Sequence, residues 1–177
     1  MAQYARPDAD DTDGNWTDKD GGTTLYTSID EASADDATTY IKSPDSSSDD
    51  ACIVRLSDVS TPSAGNAYIK YTALTEDSGG GTAPALRLEL LQGSTVKATT
   101  NNAGVDTGSW TAYSYTISDV SGISDWADLK MRITMVTNMG SEDVMKVTQV
   151  YLETQDAGSA STATPTALNT YQQMRNN

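Results

Sequence analysis

The sequence predicts an all-β fold, an antiparallel two-sheet jelly-roll sandwich of about eight or nine strands with extended N- and C-terminal arms. Three observations predict it. Apolar and polar residues alternate with period two in segment after segment, as strands with one buried and one wet face require. Gly-, Ser- and Asp-rich breaks punctuate these segments. Helical periodicity is nearly absent from the body of the chain.

The strands follow in order. In 51–56, Cys52, Val54 and Leu56 share one face and Arg55 takes the other. In 66–73, Ala67, Ile69, Tyr71 and Ala73 oppose Asn66, Tyr68, Lys70 and Thr72. Leu86, Leu88 and Leu90 oppose Arg87 and Glu89. Tyr113, Tyr115 and Ile117 oppose Ser114 and Thr116, and Met131, Ile133 and Met135 oppose Lys130, Arg132 and Thr134. The stretch 144–153 alternates only in halves, with Met145 and Val147 in one phase and Val150 and Leu152 in the other. One extra residue near Thr148 or Gln149 reconciles them, because a bulge flips the phase. Fainter patterns predict strands at 25–29, 38–42 and 95–99.

The breaks fit. Gln92-Gly93-Ser94 predicts a tight hairpin and 78–82 a Gly-rich flexible loop. Residues 45–50 predict an acidic loop, and 118–129 a connection with one helical turn around 125–129. The expected organisation is an N-terminal arm at 1–15, the sandwich at 16–155 and a flexible C-terminal arm at 156–177. The composition of 156–166 is that of a linker. Beyond it Leu168, Tyr171 and Met174 stand three apart, the spacing of a short amphipathic helix that needs a partner surface to order.

Composition narrows the chemistry. There is no histidine among the 177 residues, which removes Ser-His-Asp and Cys-His catalysis and most zinc sites. The formal charge of −14 disfavours nucleic acid and anionic membranes as partners. Cys52 is the only cysteine, so no internal disulfide forms, and its alternation with Val54 and Leu56 predicts an inert buried thiol. Met1 is followed by Ala-Gln-Tyr-Ala-Arg-Pro without an apolar run, so no ordinary signal peptide is expected. No stretch is apolar enough to span a bilayer.

Two acidic clusters invite a functional reading. Asp11 and Asp13 in the cluster at 8–16, with Asp20 beyond it, are the calcium candidates, since hard cations favour carboxylates converging on a tight Gly turn. Placing Gly14 at the invariant glycine of an EF-hand loop puts Ala9 at the first ligand position and Asp20 where a Glu belongs. With no flanking helices expected, a solvated acidic turn is the simpler reading. Asp30 and Glu31 are neighbours and point to opposite faces of a strand, so they form no acid/base pair. A carboxylate pair drawn from distant strands stays open, but no enzyme is expected. Exposed Trp and Tyr are candidates for a sugar platform. Against this, a chain without Phe must fill its core with them. Tyr71, Tyr113 and Tyr115 are expected in the core, and Trp110 and Trp126 as plugs at the ends of the sandwich. Tyr68, on the polar face of its strand, is the better exposed candidate.

The ordered set Arg6-Pro7-Asp8, Asp13-Gly14-Asn15-Trp16-Thr17, Leu25-Tyr26, Ile29-Asp30-Glu31, Asp35-Asp36 and Tyr40-Ile41 resembles the start of a phage-associated jelly-roll family. Arg55-Leu56-Ser57-Asp58, Ser109-Trp110-Thr111-Ala112-Tyr113 and Asp125-Trp126-Ala127-Asp128-Leu129 continue the resemblance over roughly the whole body. It implies a virion structural protein with a fold similar to carbohydrate-binding jelly rolls. It suggests a capsid decoration (cement) protein on the outer shell of a bacteriophage, made in the host cytoplasm. Its partners would be the major capsid protein and other copies of the chain, as a dimer or trimer. Tyr4, Arg6, Leu168, Tyr171, Met174 and Arg175 would make the contacts from the two arms. The alternatives are a carbohydrate-binding module, or a tail or fibre subunit for host attachment. No cofactor is implied.

Overall fold

A computed structural model describes residues 1–44, 50–62, 66–76, 85–136 and 143–155. The strands among them are β1 (Ala2–Ala5), β2 (Pro7–Thr12), β3 (Thr17–Asp18), β4 (Ile41–Lys42), β5 (Asp50–Leu56), β6 (Ala67–Glu76), β7 (Ala85–Gln92), β8 (Thr95–Asn102), β9 (Thr111–Ile117), β10 (Leu129–Val136) and β11 (Val144–Gln155). The first sheet has the order β3-β4-β11-β6-β9, with β1 also on β11; the second has the order β2-β5-β10-β7-β8. All strand pairs are antiparallel. From β5 onward the chain passes repeatedly from one sheet to the other, which gives the jelly-roll sandwich.

The period-two faces close on each other as the alternation predicts. Cys52, Val54, Leu86, Leu88, Leu90, Met131, Ile133 and Met135 of the second sheet are buried against Ile69, Tyr71, Val147, Val150 and Leu152 of the first. Trp16 is fully buried, and its Nε1 donates to the Asp50 carbonyl at 3.1 Å. The β11 register slips between Val147 and Gln149, so Thr148 is the extra residue that flips the phase. Gly93 turns the β7–β8 hairpin at φ +58°.

Several expectations change. The N-terminal arm is part of the sandwich: β1 pairs with β11 in one sheet and β2 with β5 in the other. These strands, with β3, raise the number above the eight or nine expected. The strand expected at 25–29 is a 3₁₀ turn at Tyr26–Ser28, because both oxygens of the Asp10 carboxylate accept N–H bonds, from Leu25 and Tyr26. The strand at 38–42 shortens to β4, and no helical turn forms at 125–129, where β10 starts at Leu129. Tyr115 is 38% exposed although its phase is inward, because β9 is an edge strand at the open margin of the sandwich. The loop at 78–82, most of 45–50, and Leu168, Tyr171, Met174 and Arg175 lie outside the described residues.

Candidate functional site

The site is built on β11. On one side β6 pairs with it along nearly its whole length. On the other, β4 takes Lys146 and Val147 and β1 takes Leu152 to Gln155. The stretch between them has no strand partner, and the segment 29–39 satisfies it instead. The Val150 N–H donates to the Ile29 carbonyl at 3.2 Å. Gln149 Nε2 donates to the Glu31 carbonyl and Thr148 Oγ1 to the Thr39 carbonyl, each at 2.8 Å.

The outward phase of β6, β9 and β11 forms rungs. Lys70 stands between Tyr151 and Ser114, Thr72 between Gln149 and Ala112, and Leu74 beside Lys146. Thr72 and Gln149 point outward, yet they are buried, because taller side chains flank them. They form the floor of an open depression of about 300 Å³, with Lys70, Tyr151 and Ser114 among the residues around it. Ala112 and Ser114 keep its β9 side low.

Aromatic rings stand at both ends of this floor. At one end Tyr40 and Trp110 lie 5.8 Å apart, tilted by 49°. The Lys146 ammonium sits 4.7 Å from the Tyr40 ring and is paired with Glu76. At the other end Tyr4 and Tyr151 meet edge to face at 5.9 Å. The Arg6 guanidinium lies over both rings, 4.9 Å from Tyr151 and 5.5 Å from Tyr4. Tyr68 is half-buried, 5.8 Å from the Lys70 ammonium. A salt bridge of 2.5 Å to Glu153 holds the Lys70 pKa above its usual value. From Tyr68 to Leu74 the face runs six steps along β6 at ~3.3 Å each, or about 20 Å.

Of the residues singled out from sequence, Tyr4, Arg6 and Tyr68 come together here. Trp110 is half-buried on this face rather than an end plug, whereas Trp126 is buried in the core. The calcium candidates do not converge. Asp11 pairs with Lys130 at 2.9 Å, the Asp13 carbonyl closes a turn onto the Trp16 N–H, and the Asp20 N–H donates to Asp18. Among the described residues no group of three or more acidic or thiol side chains is placed to hold a metal ion. Gly14 answers to packing: a Cβ there would stand 2.3 Å from the Ala51 carbonyl oxygen. Residues not singled out from sequence are Tyr40, Tyr151, Gln149 and Ser114. Their outward phase was the available signal.

No family model matches the chain, and no curated protein matches it. Solved structures similar to it include the carbohydrate-binding module CBM6cm-2 of Cellvibrio mixtus lichenase 5A in complex with cellotriose. The identity is 15%, over 86% of this chain and 97% of that one, with a TM-score of 0.48. A cyclase from Fischerella sp. TAU in complex with 4-(1H-indol-3-yl)butan-2-one has 17% identity over 88% of this chain and 74% of that one, with a TM-score of 0.49. The C-terminal CBM6 of the laminarinase LamC from Zobellia galactanivorans has 12% identity over 88% of this chain and 100% of that one, with a TM-score of 0.44. The resemblance to phage-associated jelly rolls gains no support from these proteins.

Proposed function

We propose that the chain is a non-catalytic binding module that holds a glycan along the outer face of its first sheet. One observation carries this reading: aromatic rings stand at the two ends of an outer sheet face about 20 Å long, with a trough between them whose polar floor is Thr72 and Gln149. A sugar offers an apolar C–H face and an equatorial rim of hydroxyls. Rings take the first by stacking, and side chains that both donate and accept take the second. Trp110 and Tyr40 supply the stacking surface at one end, and Tyr151 and Tyr68 at the other. Thr72, Gln149 and Ser114 supply hydrogen bonds between them. Such a ligand lies on an open face and needs no deep pocket.

A capsid decoration role called for two free arms. Residues 1–15 belong to the sandwich and 156–177 lie outside the described residues, so that role takes no support from the fold.

Calorimetry of the full chain against neutral and acidic oligosaccharides tests the proposal. Binding to at least one glycan is expected. Trp110→Ala and Tyr151→Ala should each weaken it roughly three- to tenfold. Arg55→Ala, on the other sheet, should leave it unchanged. Absence of affinity for any glycan in the panel, or equal affinity in all variants, contradicts the proposal.

A further inference from the structure

Resting on the glycan reading above, we infer that the trough is selective for an acidic sugar and that Arg6 binds its carboxylate. Arg6 sits where the chain leaves β1 in the first sheet for β2 in the second. Its backbone is fixed there by two bonds to Ser57: the Arg6 N–H donates to Ser57 Oγ at 3.0 Å, and the Ser57 N–H donates to the Arg6 carbonyl at 2.7 Å. Its guanidinium is held over Tyr151 and Tyr4 by cation–π contact, and Nη1 donates to the Glu31 carbonyl at 2.7 Å. A rigid, half-buried cation thus stands at the rim of the trough.

Like Lys19, Lys42, Arg55 and Lys97 it has no ion pair among the described residues, but of these five cations it is the one held over aromatic rings. Lys70 is paired with Glu153, Lys130 with Asp11, Arg132 with Glu89 and Lys146 with Glu76. Among the described residues no carboxylate forms an ion pair with Arg6, in a chain that carries 25 acidic residues against 11 basic ones. A guanidinium has five donors, and the Glu31 carbonyl takes one. The rings hold the guanidinium in place, and a planar fork matches a carboxylate or sulfate in bidentate fashion better than an ammonium does. Lys70 lies close by, but Glu153 takes up its charge at 2.5 Å, which leaves Arg6 as the cation offered to a ligand at this end. The net charge of −14 repels a polyanion at long range, but that repulsion is screened beyond ~8 Å at physiological salt. The short-range charge-assisted bond sets the selectivity.

The test compares affinities of the full chain for an oligogalacturonate, a sulfated oligosaccharide and a neutral cello- or xylo-oligosaccharide of equal length. Measurements are made at physiological ionic strength. The expected result is a preference for the uronate over the neutral sugar of about tenfold or more. Arg6→Gln should bring this ratio towards one. Arg6→Lys keeps the charge and loses the fork, and should reduce the ratio as well. It serves as the deciding variant if Arg6→Gln melts early. A ratio near one in the wild type, with neutral glycan still bound, overturns the selectivity and leaves the glycan platform standing. A preference for sulfate without one for uronate overturns the carboxylate assignment. A uronate preference that survives both Arg6 variants overturns the role of Arg6. No binding to any of the three sugars overturns the inference and the glycan reading together.

Discussion

Glu31 shows how one residue links the site to stability. Its carbonyl accepts bonds from Arg6 and Gln149, and its Oε1 accepts one from Thr39. Its Oε2 is buried without a hydrogen-bond partner among the described residues. Burial pushes the pKa of this carboxyl above 4.5; the Thr39 bond opposes the shift, and Asp35 and Asp30 add to it. A raised pKa means that the folded state holds the proton more tightly than the unfolded state. Between 4.5 and the folded value, stability therefore falls as pH rises, and above that window the full cost of the buried charge remains. Glu31→Gln should accordingly melt higher than the wild type above this window, with the difference shrinking as the pH falls through the window to 4.5. Melting curves of the two proteins over a pH series check this; a difference independent of pH contradicts it. Sequence alone shows Glu31 only as an acidic residue next to Asp30. Its environment comes from Thr39 and from Gln149 in the bulged part of β11, 118 residues away, which no local pattern contains.

At the scale of elements, the bulge at Thr148 decides which side chains reach the trough. Without it, the inward phase of Met145 and Val147 would continue to Gln149 and Tyr151 and expel Val150 and Leu152. Deleting Thr148 joins the two halves into one continuous alternation and should leave a cooperative melting transition, whereas deleting Tyr151 turns the buried Leu152 and Thr154 outward and should abolish it. Circular dichroism melts of both variants distinguish the cases; a Thr148 deletion that loses its cooperative melt while the Tyr151 deletion keeps one contradicts the assignment. The bulge was legible because both halves of β11 keep a strict alternation, and only one insertion joins them. The β5, β6, β7, β9 and β10 patterns were legible for the same reason. The 3₁₀ turn at Tyr26–Ser28 was not, since it depends on the Asp10 carboxylate arriving from another strand. Nor was β1, whose four residues carry one buried side chain, Ala5, and owe their conformation to pairing with β11.

For the molecule as a whole, alternation in the sequence predicts two closed faces but not the lateral order of strands. The functional face depends on that order. Tyr4, Tyr151, Lys70 and Ser114 lie far apart in sequence and become neighbours only because β1, β11, β6 and β9 stand side by side. The need to fill a Phe-free core is met by Trp16, Trp126 and Tyr71, together with Leu, Ile and Met; this leaves Trp110, Tyr40, Tyr68 and Tyr151 half-buried on one outer face. An amide NMR titration of the intact chain with the best oligosaccharide of the panel tests this face most directly. The account predicts shifts concentrated at Lys70, Thr72, Trp110, Ser114, Gln149 and Tyr151. Shifts confined to the outer face of the second sheet, around Arg55, Arg87 and Arg132, would contradict it, as would a spectrum that glycan leaves unchanged.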